Sequence, residues 1–141
     1  MQKGKSLGLK EARKIVDAII EASENSEGRP MAAAVVDRHG DLVCLARMDG
    51  ATPLNGRMAL YKCYTAMDAF RDTIGTRELM DRLNLRYYEF CNPVFTTIPG
   101  GVLIRTKDGN VVGAVGTSGR DPLIHMGDEE LARIGAKAFE E

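Results

Sequence analysis

The chain has 141 residues, of which 44% are hydrophobic and 28% charged, with a formal net charge of −1. That length fits one domain spanning residues 1–141, long enough to bury a core of its own. The balanced charge excludes a basic nucleic-acid footprint and the apolar content excludes disorder, so neither nucleic acid nor a membrane is an expected partner.

Met1-Gln2-Lys3-Gly4-Lys5 is charged and leads into a segment carrying Glu11, Arg13, Lys14 and Asp17. This is no apolar signal segment, and the expected location is cytoplasmic. Gly8 stands where a helix N-cap would be, with Glu11 at the third helical position and Leu7 placed to staple against Ala12. Ala12, Ile15, Val16, Ile19 and Ile20 repeat at helical spacing, predicting a helix to about Ser23 with one apolar face. After the polar breaker from Asn25 to Pro30, Met31 to Val36 reads as a largely buried strand. Arg38-His39-Gly40-Asp41 has turn chemistry and Leu42 to Ala46 resumes the apolar run, so residues 31–47 are a predicted hairpin. Asn55 is the expected cap of a helix from Gly56 to about Arg71, with Ala59, Cys63, Ala66, Met67 and Phe70 on its buried face. Thr76 is the expected cap of a short helix carrying Leu79, Met80 and Leu83. Phe95 to Ile98, Val102 to Thr106 and Val111 to Ser118 read as three strands, the last two joined at Asp108-Gly109. Asp128 starts a final helix whose apolar face holds Leu131, Ile134, Gly135 and Ala138.

Tight hairpins force antiparallel pairing, because a parallel neighbour needs a crossover of a dozen or more residues. The expected fold is therefore α+β, with a five-stranded antiparallel sheet covered by helices. Cys44, Cys63 and Cys91 are an odd count at wide spacing without Cys-x-x-Cys, which argues against a disulfide framework or a zinc site and for buried free thiols.

The densest motif is glycine. Pro99-Gly100-Gly101 and the run from Gly113 to Gly119 remove side chains in and beside strands, where a ligand or another backbone must come close. The run reads as a binding floor or as a set of tight turns and bulges. Gly113 to Gly119 encloses five residues before Arg120-Asp121, which is not a Walker A loop, and its Gly-x-x-Gly-x-x-Gly spacing is not a dinucleotide fingerprint.

Several side chains carry candidate chemistry. Arg47 and Asp49 follow the second strand, either as a salt bridge holding the loop or with Arg47 gripping a carboxylate through its planar fork. Lys62 flanks an apolar helical sector with Thr65 one turn on; it either snorkels to water or, held in a pocket, binds an acid or forms a Schiff base. His39 reads as an exposed turn residue. His125 and Met126 are both axial-ligand types, making His125 the candidate haem ligand, with a plain loop histidine as the alternative. Asp128-Glu129-Glu130 reads as first-turn dipole chemistry.

Ala46-Arg47-Met48-Asp49-Gly50-Ala51, Lys62-Cys63-Tyr64-Thr65-Ala66, Pro99-Gly100-Gly101 and Gly113-Ala114-Val115-Gly116-Thr117-Ser118-Gly119 together resemble the GlcG/HbpS-like family, in order, over about residues 7–139. The resemblance implies a profilin-like α/β/α fold, assembly as a homo-oligomer, and family-like positions at Arg47, Asp49, Lys62, Thr65, Pro99, Gly100, Gly101, Gly116, Ser118 and Gly119. It also makes haem a possible cofactor, although neither His39 nor His125 matches a ligand histidine of the family. Arg86 to Asn92 is more aromatic than the family pattern, and Tyr87, Tyr88 and Phe90 either line a pocket or form a packed connection. Three functions follow: a protein binding a small organic acid or haem near Pro-Gly-Gly, a catabolic enzyme acting on a small carboxylate with Lys62 and Arg47 in catalysis, and a ligand-free oligomeric scaffold. The first is favoured, because Arg47, Lys62 and a glycine-rich amide surface suit an anion.

Overall fold

Met31 to Val36 is apolar at every position, and such a strand is stable only when both of its faces are covered. A computed structural model, which describes residues 7–139, places it in the middle of the molecule. The elements run α1 (Leu9–Glu24), β1 (Ala32–Asp37), β2 (Leu42–Arg47), α2 (Pro53–Ala69), α3 (Thr73–Leu83), a 3-10 turn (Tyr87–Phe90), β3 (Gly101–Arg105), β4 (Val111–Ser118) and α4 (Asp128–Lys137). The sheet order is β2-β1-β4-β3, antiparallel throughout. The charged segment 1–5 lies outside the described residues.

Alternation along the strands builds two cores. Ala33, Val35, Val102, Ile104 and Val115 face α1 and α4, meeting Ile15, Ile19 and Leu131. Ala32, Ala34, Val36, Leu103 and Ala114 face α2, meeting Ala59, Cys63 and Ala66. Each fully buried Ile or Leu in these layers is worth roughly 1.5–3 kcal/mol. The α2 side is lined by small residues, so the helix backbone lies directly on the sheet. A Cβ at Gly116 would collide with the Ala59 carbonyl, and one at Gly101 would come 2.5 Å from the Lys62 carbonyl.

The structure corrects several expectations. The sheet has four strands: Phe95–Ile98 is irregular, despite its β-branched and aromatic composition. Its N–H groups are taken locally, Val94 and Phe95 by Asn92, Thr96 by the Thr65 hydroxyl and Ile98 by the Thr96 hydroxyl. The outer edge of β3, where a fifth strand would pair, is capped by α3, with Leu103 N–H on Asp72 Oδ1 at 2.9 Å and Gly101 N–H on Thr73 Oγ1 at 3.0 Å. Helix α2 starts earlier than expected because Thr52 caps it ahead of Pro53; Asn55 is the third helical residue, and its side chain accepts from Thr52 N–H. Helix α3 likewise begins at Thr73 and leaves Thr76 buried inside it. Phe70 turns outward in a left-handed C-cap and is exposed. Of the three cysteines only Cys63 is buried; Cys44 is half-buried and Cys91 exposed. Residues Tyr87, Tyr88 and Phe90 form an exposed 3-10 turn.

The closeness of α2 to the sheet can be measured. Gly116→Ala is expected to cost about 1–3 kcal/mol, toward the upper end because its new methyl meets backbone. Gly40→Ala, in open space at φ +82°, should cost only about 1 kcal/mol. Urea unfolding of the two variants that ranked them in the opposite order would refute this packing.

Candidate functional site

Ala59, Lys62, Cys63 and Ala66 fall on one side of α2, the side pressed to the sheet, so the helix carries a lysine into the interior. Lys62 is 1% exposed and does not snorkel. Its ammonium donates to the Thr117 carbonyl at 2.7 Å and to Asp128 Oδ2 at 3.3 Å. Asp128 sits in the first turn of α4 and accepts from the N–H groups of Gly119 and Arg120 as well. Burial pushes the Lys62 amine below its ordinary value, while the Asp128 charge pulls it back. A buried lysine held in this balance is suited to hold an anion, or to act as a base or carbonyl nucleophile.

A cavity of about 260 Å³ opens beside this pair, with apolar walls from Leu54, Met58, Ile98 and Pro122 and a polar floor that includes Lys62, Ser118 and Asp128. Arg120 also contributes to its lining and is buried. Among the described residues the Arg120 guanidinium bonds neutral acceptors alone, namely the carbonyls of Ser23, Arg29 and Met126 and the hydroxyls of Ser23 and Ser26. Arg120 reaches the Asp128 carboxylate through its backbone N–H alone, so Lys62 is the cation paired with Asp128 at this floor. Next along α4, Glu129 Oε1 accepts from Gly100 N–H at 3.0 Å and Oε2 lies 2.7 Å from Arg133.

A family model described as "Haem degrading protein HbpS-like" matches residues 7–137. The chain belongs to the HbpS-like family. GlcG of Escherichia coli K12 is 32% identical over 110 residues, covering 76% of this chain and 80% of that protein. A double mutant of Streptomyces reticuli HbpS shares 27% identity at a TM-score of 0.80, covering 100% of this chain and 92% of that one. The structure of a PduOC haem complex, 20% identical with 95% of each chain covered, has the same fold at a TM-score of 0.82.

Within this HbpS-like chain the family-like positions separate. Lys62 and Ser118 meet at the cavity. Thr65 instead bonds the Tyr61 carbonyl and takes Thr96 N–H, fastening the loop before Pro99. The amides of Gly100 and Gly101, expected to receive an anion, are committed to Glu129 and Thr73, and Gly116 makes room for the α2 backbone. Arg47 lies exposed at the end of β2, with its stem 3.9 Å from where a Gly56 Cβ would be, and is not part of the cavity lining. Asp49 is exposed too, and among the described residues no ion pair joins it to Arg47. His125 is exposed, with Nδ1 3.4 Å from Glu130, and lines a separate cavity with Asn25, Ser26, Glu27 and Met126. His39 is exposed in the β1–β2 turn, its N–H on Asp37. Among the described residues no group of three His, Cys, Asp or Glu side chains could hold a metal ion, and no helix is long and apolar enough to cross a membrane.

Asp128, Glu129 and Arg120 are the site residues that sequence reasoning assigned elsewhere or passed over. Acids opening a helix are ordinarily dipole partners, and nothing local to residue 128 points to a lysine sixty-six positions away.

Burial, reinforced by Asp72, raises the Glu129 carboxyl above its ordinary 4.5, against the pull of Arg133 and the Gly100 N–H. The folded state thus holds the proton more tightly than the unfolded chain, and this contribution to stability is full below about pH 4.5 and lost as pH climbs through the folded value. Relative to Glu129→Gln, the native protein should lose stability as pH rises above about 4.5, seen as a converging or reversing difference in urea midpoints. A difference constant with pH would contradict it.

Proposed function

We propose that this protein binds a small organic acid in the cavity floored by Lys62 and Ser118, behind Pro99-Gly100-Gly101. The observation that carries the reading is a fully buried ammonium, Lys62, which lines a cavity with apolar walls and whose pairing with Asp128 is 3.3 Å long. A carboxylate entering beside Lys62 gives the ammonium a charged acceptor in addition to Asp128 and places its apolar body against Leu54, Met58 and Ile98. The cavity volume, about 260 Å³, suits a molecule of a few carbons.

A charge-assisted contact of this kind is worth roughly 1.5–3 kcal/mol, so Lys62→Met should weaken carboxylate binding by about ten- to a hundredfold in calorimetric titration. Because that change strands Asp128, Met58→Trp serves as the second variant, filling the cavity without altering charge. Unchanged affinity in both variants would sink the reading.

Haem is the second reading, favoured by the family description. His125 and Met126 are where this chain offers axial donors, but their cavity is walled by the polar Asn25, Ser26 and Glu27, which does not enclose a macrocycle within one chain. In the same titration series haemin separates the readings: a Soret shift that disappears in His125→Ala assigns haem to that cavity, and an unchanged or absent shift removes the assignment.

We further propose a homo-oligomer. Leu83, Tyr87, Tyr88 and Phe90 are 47–64% exposed along one continuous arm, a larger apolar display than an isolated domain of this size usually leaves in water. Light scattering should give a mass well above the 15.4 kDa chain, and a monomer at micromolar concentration would refute it.

A further inference from the structure

On the far side of α2's C-terminus from the Lys62 cavity, a groove of about 520 Å³ runs between the start of α3 and the outer edge of β3. Three arginines from different elements line it: Arg71 before α3, Arg105 at the end of β3 and Arg133 in α4. Residues so distant in sequence share a groove only through the fold, and like charges gathered this way repel unless an anion lies among them.

Arg133 has a carboxylate partner, and Arg71 and Arg105 have none among the described residues. Arg71 lays its stem over Gly75, with no carboxylate bound among the described residues. Arg105 bonds the Gly109 carbonyl at 3.2 Å, a neutral acceptor. Arg133 is paired with Glu129, which is also held by Gly100 N–H. The one carboxylate in the lining, Asp72, is turned to Leu103 N–H and makes no side-chain cap of α3, which leaves the first-turn amides beside the groove uncapped. Arg71 and Arg105 are thus two guanidiniums without a carboxylate of their own, because Glu129 answers Arg133 and Asp72 is spent on Leu103 N–H.

We propose that this groove is a second anion site, distinct from the Lys62 cavity, and that it takes a phosphorylated small molecule. A phosphate monoester carries close to two negative charges at neutral pH and so offers one to each of these two guanidiniums, where a single carboxylate would divide its one charge between them. Planar guanidinium forks suit its tetrahedral oxygens. The volume exceeds what a bare phosphate needs, and Phe70, Ile74 and Val102 supply an apolar wall for the organic part.

Calorimetric titration of the full chain with phenyl phosphate and, separately, inorganic phosphate tests this. Arg71→Gln with Arg105→Gln removes two exposed charges and should leave the fold intact, checked by an unchanged melting temperature. The double variant should bind phenyl phosphate at least tenfold more weakly than the native chain, Met58→Trp should bind it normally, and inorganic phosphate should bind more weakly than phenyl phosphate. Equal affinity in the double variant and the native chain overturns the site. Loss in Met58→Trp alone moves the phosphate to the Lys62 cavity and overturns it as well, and equal affinity for the two phosphates overturns the role of the apolar wall.

Discussion

Asp128 is the residue at which α2, β4, the segment after β4 and α4 meet. It accepts from the Lys62 ammonium on α2 and from the N–H groups of Gly119 and Arg120 after β4, while the Asp128 carbonyl takes the Thr117 hydroxyl at 2.6 Å. An ammonium 1% exposed is sustainable only with such a partner, since removing one member of a buried pair costs roughly 3–5 kcal/mol. The pair joins two helices that cover opposite faces of the sheet, and it does so at the end of β4, beyond the last residue that pairs with β3. The lysine is therefore both a tie between layers and the floor of the cavity.

That tie depends on backbone proximity. The alanines of β1 and the glycines at 101 and 116 let α2 settle onto the sheet until helix carbonyls touch the strands, and only then does a lysine stem reach past β4 to Asp128. Much of this was legible. The helical spacing from Ala12 to Ile20 and the turn at Arg38-His39-Gly40-Asp41 predict α1 and the β1–β2 hairpin nearly as they stand, because their signals are local. The glycine run was legible as a place of close approach, but the visitor is the protein's own helix. Composition alone cannot distinguish a ligand from a backbone, since both demand the same missing Cβ.

What failed to read through was competition from outside the segment. Phe95–Ile98 has strand composition, yet Asp72 and Thr73 had already taken the edge of β3 it needed. Thr52, ahead of Pro53, wins the cap of α2 over Asn55 because proline prefers the first helical position and gives up no hydrogen bond there. Lys62 was legible as a lysine on an apolar face; its partner was not, because the pairing of residues 62 and 128 is a property of the assembled layers.

The first turn of α4 also sets the relation between the two cavities. Asp128 faces the Lys62 cavity, and the adjacent Glu129 reaches the opposite way to Gly100 N–H and Arg133, which lines the arginine groove. Consecutive residues on one rigid helix turn thus take part in both charge clusters, with Gly100-Gly101 between them. A ligand that draws Arg133 away from Glu129 would leave the carboxylate with the Gly100 amide as its remaining partner and favour its protonation, because burial already raises that carboxyl. Glu129 also acts on the Lys62 ammonium through its charge, which together with Asp128 draws the buried amine back toward its ordinary value. One rigid turn therefore carries electrostatic influence from the Lys62 pair to the arginine groove without any movement of backbone.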